Sequence, residues 1–248
     1  AILYNAGNTR IGKHGTTSGD YTYNGLIDEV RVSTNLRSAG WIATEYANQN
    51  DPSTFSSVET QKAAPPSCSG FTPTPTPTPF VGLPWYDCDW GYRKNITIDR
   101  NQVNGTLADF PVLISLSSDA GLSSHAQSGG DDIFFTDSAG AKLPHEIESY
   151  SSGTLVAWVQ VPSISDTTNT TIMMYYGNSG ASSQENPTGV WDSDFQAVWH
   201  LKETSGGSEA IQDSTSTGNH GTDQSSPTLG ATGKIGNAIT FDGTGDYI

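Results

Sequence analysis

The chain has 248 residues and is acidic, since 26 Asp and Glu residues against 11 Lys and Arg residues give a formal net charge of −15 at pH 7. This charge would repel phosphate groups, which argues against nucleic acid or an anionic membrane surface as a partner. The abundance of Gly, Ser, Thr and Asn is typical of short strands joined by turns and favours an extracellular protein. No apolar run approaches the ~20 residues that span a bilayer, so membrane insertion is not expected.

Residues 1–62 contain strand-like runs separated by Gly and Asn turns: "AILYN", "TRIGKHG" and "YTYNGLIDEVRVS". One helix is predicted there, over "SAGWIATEYANQ", with Ser38 as its N-cap. The residues at helical spacing along it are Trp41, Ile42, Glu45 and Tyr46. No signal peptide is visible before "AILYNAG", and we expect that the chain was cut from a longer one.

Residues 63–84 form a linker rich in Pro and Thr, with "TPTPTPTP" at 72–79. Residues 85–200 are rich in strand-forming residues, and the candidate strands are "RKNITID", "FPVLISL", "DIFFTD", "LVAWVQV" and "TIMMYYG". Residues 201–248 are again rich in Gly, Asn and Asp. Many short strands with regularly spaced turn signals predict an all-β fold, either a sandwich or a jelly roll.

Three segments resemble known families. "YNGLIDEVRVSTNLRSAGWIATEYANQNDPSTFSSV" resembles the C-terminal end of a laminin-G-like, concanavalin-A-like jelly roll, and "AIQDSTSTGNHGT…GKIGNAITFDGTGDYI" resembles the N-terminal end of the same family. Between them, "WGYRKNITID…NTTIMMYYGN" resembles a β-sandwich domain of unknown function found in large bacterial and archaeal surface proteins. The resemblance implies four zones: a jelly-roll tail at 1–62, the linker at 63–84, a β-sandwich at 85–200 and a jelly-roll head at 201–248.

The order of these zones is unusual, because the tail of a jelly roll comes first and the head of one comes last. Either fragment alone would leave apolar strand edges open, which proteins avoid. Three alternatives follow. The chain is a piece of a tandem array; head and tail meet within one chain as a reduced sandwich; or residues 201–248 of one copy complete residues 1–60 of the next by strand addition, which builds a head-to-tail filament.

Paired carboxylates are candidates for catalysis, because a glycosidase needs an acid and a nucleophile or base on either side of the scissile bond. Asp28 and Glu29 are adjacent, so on a strand they point to opposite faces. Glu146 and Glu148 in "LPHEIESY" share a face, with His145 beside them. The alternative is an ordinary polar strand face, and we expect a protein that is not an enzyme and has no catalytic residues.

Calcium is the one metal that the resemblance implies, because laminin-G-like jelly rolls often hold an ion at a loop rim through oxygen ligands. The candidate ligands are Asp213, Asn219, Asp242 and Asp246. The alternative is that Asp, Asn and Gly are simply the residues that turns require. No other cofactor is expected.

Carbohydrate recognition is a further implication of the resemblance, since sugars stack on exposed aromatic rings beside orienting polar groups. Trp85 and Tyr86 are the candidate contacts, whereas Trp90 is expected in the core. Sugars could also be attached to the protein. The sequons are Asn95, Asn104 and Asn169, and the candidate O-glycosylation sites are Thr72, Thr74, Thr76 and Thr78.

Cys68 and Cys88 stand on either side of the Thr-Pro run. Eight residues of polyproline II reach roughly 25 Å at ~3.1 Å per residue, and the eight residues that follow can run about as far back at ~3.3 Å each. The two thiols can therefore meet, and a disulfide between them is predicted in an oxidising compartment. We expect a non-catalytic extracellular or cell-surface protein, the repeating unit of a fibre, stalk or adhesin that assembles head-to-tail with its own copies. The alternative function is a carbohydrate-binding module of a larger secreted protein.

Overall fold

The structure is a computed structural model that describes residues 9–16, 19–68 and 85–248. Its strands in chain order are β1 (Lys13–Thr16), β2 (Gly19–Thr22), β3 (Asn24–Ile27), β4 (Val30–Ser33), β5 (Ser56–Val58), β6 (Lys62–Ala63), β7 (Tyr92–Ile98), β8 (Leu107–Leu116), β9 (Phe134–Asp137), β10 (Lys142–Leu143), β11 (His145–Ser151), β12 (Thr154–Ile164), β13 (Thr170–Tyr176), β14 (Phe195–Trp199), β15 (Thr228–Thr232) and β16 (Asn237–Asp242). Its α-helices are α1 (Ala39–Asn50), α2 (Pro52–Phe55), α3 (Ala120–His125) and α4 (Pro187–Val190). The predicted all-β class is confirmed.

The chain divides into two compact units. Unit 1 combines the residues up to Thr34 with Ser193–Ile248, and unit 2 is Asn35–Asp192. Among the described residues, no helix has both the length and the apolar character needed to cross a bilayer.

Unit 2 is an antiparallel β-sandwich. One sheet has the order β10-β9-β13-β7-β5, with β6 also paired to β7, and the other has the order β11-β12-β8. The strands that the sequence indicated at 85–200 appear as β7, β8, β9, β12 and β13. Along β7 the buried side chains alternate, with Lys94, Ile96 and Ile98 on the inner face, as expected for a strand with one face in a core.

Helix α1 confirms the predicted helix, and Ser38 Oγ accepts a hydrogen bond from the Trp41 backbone N–H at 3.0 Å. Its buried face differs from the predicted spacing, because Ile42 and Tyr46 are exposed. The residues that it buries are Trp41, Thr44 and Asn48. Trp41 packs on Phe110 of β8, with ring centroids 4.8 Å apart.

Asn48 explains why a polar residue occupies this buried face. Its Nδ2 donates to the Leu113 carbonyl at 3.0 Å, and its Oδ1 accepts from the Leu113 N–H at 2.7 Å. Leu113 lies in β8, whose other edge pairs with β12. The amide thus takes the hydrogen-bonding place of a neighbouring strand, which satisfies backbone groups that would otherwise be buried without partners.

Unit 1 joins the two ends of the chain. Strand β16 pairs with β3, with Ile239 opposite Ile27, and β14 pairs with β4, with Val198 opposite Arg31. Ile11 and Ile248 also exchange two backbone hydrogen bonds, of 2.8 and 2.9 Å. The structure therefore shows the two end segments pairing within one chain, as in the second of the three alternatives.

The core of unit 1 is drawn from both ends of the chain, which gives this pairing its driving force, since burial of apolar area is the dominant favourable term. Its buried residues are Ile11, Ala197, Trp199, Leu201, Ile211, Ile239, Phe241 and Ile248.

The unit boundaries differ from the zones expected from sequence. The sequence predicts residues 35–62 as part of the jelly-roll tail, but in the structure they belong to unit 2, because α1 packs on β8 and β5 pairs with β7. The sequence predicts residues 193–200 as part of the sandwich, but β14 pairs with β4 and belongs to unit 1.

The Cys68–Cys88 disulfide is present, with Cα atoms 5.1 Å apart. It joins the short 3-10 turn Pro66–Cys68 to the segment that leads into β7. Residues 72–79, with their candidate glycosylation sites Thr72, Thr74, Thr76 and Thr78, lie outside the described residues, as does the course of the predicted hairpin.

Candidate functional site

The two glutamates considered for catalysis lie in β11 and are buried, with 4% of Glu146 and 6% of Glu148 exposed. Glu146 pairs opposite Trp158, but the register shifts between Ile147 and Ser149, so Glu148 lies in a β-bulge. A bulge re-aims side chains and breaks the strict alternation of faces. In a regular strand, a spacing of two residues would place both carboxyls on the same face. Because of the bulge, this spacing does not determine the relative positions of the Glu146 and Glu148 carboxyls.

Each of these glutamates accepts a hydrogen bond from an indole. Trp191 Nε1 donates to Glu146 Oε2 at 3.2 Å, and Trp158 Nε1 donates to Glu148 Oε2 at 3.0 Å. The two indole rings pack with centroids 5.7 Å apart. A buried carboxylate is costly unless it is hydrogen-bonded, and the indoles supply part of that compensation. The cluster is a packed polar core, which differs from two carboxylates that flank a substrate.

His145, next to this pair, is fully buried, and its ring packs edge-on against Phe135 with centroids 5.3 Å apart. Neither ring nitrogen has a hydrogen-bond partner among the described residues. Burial lowers the pKa of His145 to about 4, with the charge of Lys142 adding to the effect, and this outweighs the nearby carbonyls of Leu143 and Ile133. The ring is therefore neutral at neutral pH.

Asp213, a candidate calcium ligand, is the centre of a hydrogen-bonded turn. Its Oδ1 accepts from the N–H groups of Val198 and Thr215, each at 2.9 Å. Its Oδ2 accepts from the Thr215 and Thr217 hydroxyls and from the Asn219 N–H, at 2.8–3.0 Å. Both carboxylate oxygens are thus engaged by protein donors, as in the turn interpretation of this motif.

The amide of Asn219 is engaged in the same turn, since its Nδ2 donates to the Gln196 carbonyl at 2.7 Å. Trp199 Nε1 donates to the Asn219 carbonyl at 2.8 Å. The turn "DSTSTGN" is therefore tied to β14 at several points.

Asp242 and Asp246 meet in the second candidate turn, where Asp246 Oδ2 accepts from the Asp242 N–H at 2.9 Å. Asp242 Oδ1 accepts from the Thr244 N–H at 2.7 Å. Hydrogen bonds from Thr244 lower the pKa of Asp242. Within the described parts of the chain, Asp213, Asp242 and Asp246 do not come together as three ligand atoms within 4.8 Å. The four calcium ligands therefore stay a prediction, because the structure does not bring their ligand atoms together at one site.

Trp85 and Tyr86, the candidate sugar contacts, lie on an aromatic cluster of unit 2. Tyr86 is 43% exposed, and its ring packs on Phe134 at 4.8 Å. Trp85 is half-buried, donates from Nε1 to the Trp90 carbonyl at 2.9 Å, and has the Arg93 guanidinium 4.9 Å from its ring. Trp90 is buried, as expected. One face of this cluster is accessible, but Trp85 serves mainly to cover the core.

The three sequons differ in accessibility. Asn104 and Asn169 are exposed, and Asn169 lies in the turn between β12 and β13. Asn95 lies within β7, and its Nδ2 donates to Glu59 Oε2 at 3.1 Å. A glycan on Asn95 would have to break this contact, so Asn104 and Asn169 are the accessible acceptors.

Sequence reasoning missed a buried charge cluster in unit 1. Glu29 Oε1 lies 2.7 Å from His200 Nδ1, and Glu29 Oε2 accepts from Arg31 at 2.8 Å. Burial opposes the ionisation of Glu29, but His200 and Arg31 outweigh it and lower its pKa. Glu29 has a φ of 55°, a value that is uncommon outside glycine. The sequence shows only that Glu29 is adjacent to Asp28, which does not indicate that Glu29 contacts His200 and Arg31.

Asp28 faces a different environment from its neighbour. Burial and the charge of Glu29 raise the pKa of Asp28 to about 6, although its Oδ2 accepts from the Ile235 N–H at 2.9 Å. The different environments of the two adjacent carboxyls therefore shift their pKa values in opposite directions.

Unit 1 also contains an open cleft of about 580 Å³ above its core. Its lining combines the rings of Trp199 and Tyr247 with amides and charged groups. The polar members are Thr9, Arg10, Gln196, Asn219, His220, Thr222 and Gln224. Arg10 lies over the Tyr247 ring, with its guanidinium carbon 5.0 Å from the centroid. No sequence motif pointed to this cleft, because its lining comes from both ends of the chain.

Comparison with known proteins gives a partial match. Residues 129–208 match the family model of a domain of unknown function, DUF2341, over about a third of the chain. No curated protein and no solved structure matches the chain. The match supports part of the resemblance drawn for residues 85–200, whereas these comparisons show no laminin-G-like or concanavalin-A-like family. The chain is thus a β-rich protein whose match to DUF2341 covers the C-terminal part of the sandwich and the first residues of the second segment of unit 1.

Proposed function

We propose that this chain is a non-catalytic structural module of an extracellular or cell-surface protein. The observation that carries the proposal is the burial of Glu146 and Glu148, each hydrogen-bonded to an indole in a packed core. These are the carboxylates whose sequence spacing best fits a glycosidase. The Cys68–Cys88 disulfide supports an oxidising environment, where such bonds persist.

The finer assignment of unit 1 as a laminin-G-like jelly roll belongs to the same proposal. Two ladders support it, β16 with β3 and β14 with β4, because they bring the two matching sequence segments together around one apolar core.

Hydrolysis assays on a polysaccharide panel test the non-catalytic part. We expect no turnover by the native protein. Turnover that Glu146→Gln abolishes, while the exposed control Glu59→Gln retains it, would replace this proposal with a glycosidase.

Head-to-tail assembly with copies of the same chain is the second element of the proposal. It requires β16 to leave β3 of its own chain and to pair with β3 of a neighbour in the same register, with Thr240 opposite Leu26. Exchange of an element between identical chains is a low-cost route to assembly, and an open exchange makes a filament.

Single cysteines can detect this exchange. Leu26→Cys and Thr240→Cys chains are unfolded together, refolded as a mixture and oxidised, with the native disulfide retained. Exchange predicts a covalent dimer of the two variants. The control replaces Thr240→Cys with Thr228→Cys, because Thr228 pairs with Thr240 and lies beyond it from Leu26. Only monomers, or equal dimer yields in both mixtures, would contradict exchange.

Carbohydrate binding is the second candidate function, and the cleft of unit 1 favours it. The cleft offers the Tyr247 ring beside side-chain amides, the combination that holds a sugar. Arg10 at its rim would favour an acidic saccharide. A glycan array with the native protein and Tyr247→Ala tests this, with Tyr86→Ala as the control for the other aromatic surface. Binding lost only in Tyr86→Ala would move the site to Trp85 and Tyr86.

A further inference from the structure

Lys94 is a buried lysine on the inner face of β7, between the two sheets of the sandwich. It shares that face with Ile96 and Ile98, and its side chain is 9% exposed. Lysine is almost never buried without a partner. The partner is Asp119, whose Oδ2 accepts a hydrogen bond from Lys94 Nζ and whose side chain is 16% exposed.

Asp119 belongs to the opposite side of the sandwich, since it follows β8, a strand of the second sheet. Its two oxygens have different roles. Oδ1 accepts from the Leu122 backbone N–H at 2.9 Å and caps α3, whereas Oδ2 faces Lys94. The carboxyl carbon is thus held with one oxygen on a fixed donor and the other against the amine.

We propose that Lys94 and Asp119 join in an intramolecular amide bond that links the two sheets of the sandwich. A proton passes from Lys94 Nζ to Asp119 Oδ2 across their hydrogen bond, which leaves a neutral amine and a neutral carboxyl. Nζ then forms a bond to Cγ, and the negative charge that develops on Oδ1 is stabilised by the Leu122 N–H. A second proton moves from nitrogen to Oδ2, the Cγ–Oδ2 bond breaks and one water leaves. The bond requires no oxidant, metal or other reactant.

The surroundings favour condensation over the stable ion pair that an exposed lysine would form. The Tyr176 hydroxyl donates to Gln61 Oε1 at 2.8 Å, and a Cβ on Gly121 would lie 2.6 Å from that hydroxyl and 3.3 Å from Asp119 Oδ1. Glycine at 121 therefore lets these groups close around the pair. Limited access of water favours the amide, and burial makes separated charges costly.

A contact between a lysine and a carboxylate is not sufficient evidence for an amide bond, and a second such pair in the chain serves as a comparison. Lys62 and Glu59 form an ion pair at 3.0 Å, but their side chains are 48% and 49% exposed. Fixed geometry and lower exposure to water distinguish the Lys94–Asp119 pair, because proximity accelerates a reaction only when the reacting atoms are held in place.

Intact-mass measurement of the full chain, denatured and with Cys68–Cys88 reduced, tests the proposal. The native protein is expected to weigh one water less than its sequence. Trypsin should fail to cleave after Lys94 and should yield residues 94–100 joined to residues 101–142. Lys94→Arg, which keeps a positive charge towards Asp119, should have its full sequence mass, and Lys62→Arg should keep the deficit.

A native protein at its full sequence mass would overturn the proposal, whether or not Lys94→Arg folds. A one-water deficit that persists in Lys94→Arg would overturn it too, since a succinimide at Asp242–Gly243 also removes one water. The bond does not depend on the proposed function, so turnover of a polysaccharide would leave this test unaffected.

Discussion

Protonation of His145 is predicted to destabilise the folded protein below neutral pH. The ring is fully buried, its nitrogens have no partner among the described residues, and its pKa falls from 6.5 to about 4 on folding. Because the folded-state pKa is depressed, the unfolded chain binds more protons between pH 6.5 and 4. Stability from the neutral ring is therefore fully present above pH 6.5 and is lost as pH falls towards 4.

The magnitude follows from the same values. A shift of about 2.5 pKa units corresponds to about 3 kcal/mol in total, and between pH 7 and pH 4.5 the expected loss is about 2.5 kcal/mol. Carboxylates also contribute to acid destabilisation, so the native protein must be compared with a variant. His145→Leu removes the titrating group.

Urea unfolding at pH 7 and pH 4.5, followed by tryptophan fluorescence, measures the effect. The native protein should lose about 2.5 kcal/mol more than His145→Leu between the two pH values. Phe135→Leu is the control, because it removes the ring contact of His145 and leaves the titrating group. Equal losses in the native protein and His145→Leu, or an NMR titration of His145 near 6.5, would refute the reasoning.

Three further perturbations have defined outcomes. Asp28, whose pKa rises from 3.8 to about 6, binds more protons in the folded than in the unfolded state between these values, so its contribution to stability should fall as pH rises from 4 to 6, opposite in sign to that of His145; in urea titrations the native protein should therefore lose stability relative to Asp28→Asn over this range, and a constant difference between the two would contradict this. Replacing both Cys68 and Cys88 by Ser should cost about 3 kcal/mol, because the disulfide closes a loop with a separation of 20 residues; an unchanged melting temperature would contradict this. Asn48→Leu should lower the free energy of unfolding by about 1–3 kcal/mol, because the N–H and C=O of Leu113 lose their partner. The control Ser38→Ala is expected to lower it by about 1 kcal/mol. A loss in Asn48→Leu no larger than that of the control would mean that water replaces the amide.

The strands of the sandwich could be predicted from sequence because their signal is local. Runs such as "LVAWVQV" and "TIMMYYG" are rich in β-branched and aromatic residues, which favour strands. In the structure they form the largely buried strands β12 and β13. The cap at Ser38 and the pairing of the cysteines also rest on nearby residues and chain length.

What could not be predicted depends on long-range partners. The β-bulge at Glu148 arises in the pairing of β11 with β12 and changes the direction of the Glu148 side chain. The segment "LPHEIESY" alone does not indicate this bulge. Asn48 lies within the predicted helix, but its hydrogen-bond partners belong to Leu113, 65 residues away. The cleft of unit 1 is likewise assembled from residues at both ends of the chain.

The discontinuity of unit 1 has a consequence for synthesis on the ribosome. Ile27 in β3 pairs with Ile239 in β16, which emerges more than two hundred residues later. At about 5–20 residues per second, β3 waits on the order of 10–40 s for its partner while unit 2 can already fold. Under the exchange between copies proposed above, this is the interval in which β3 of a nascent chain would be open to β16 of another copy. The spacing of neighbouring ribosomes would then bias whether the ends of this protein close on themselves or on another copy.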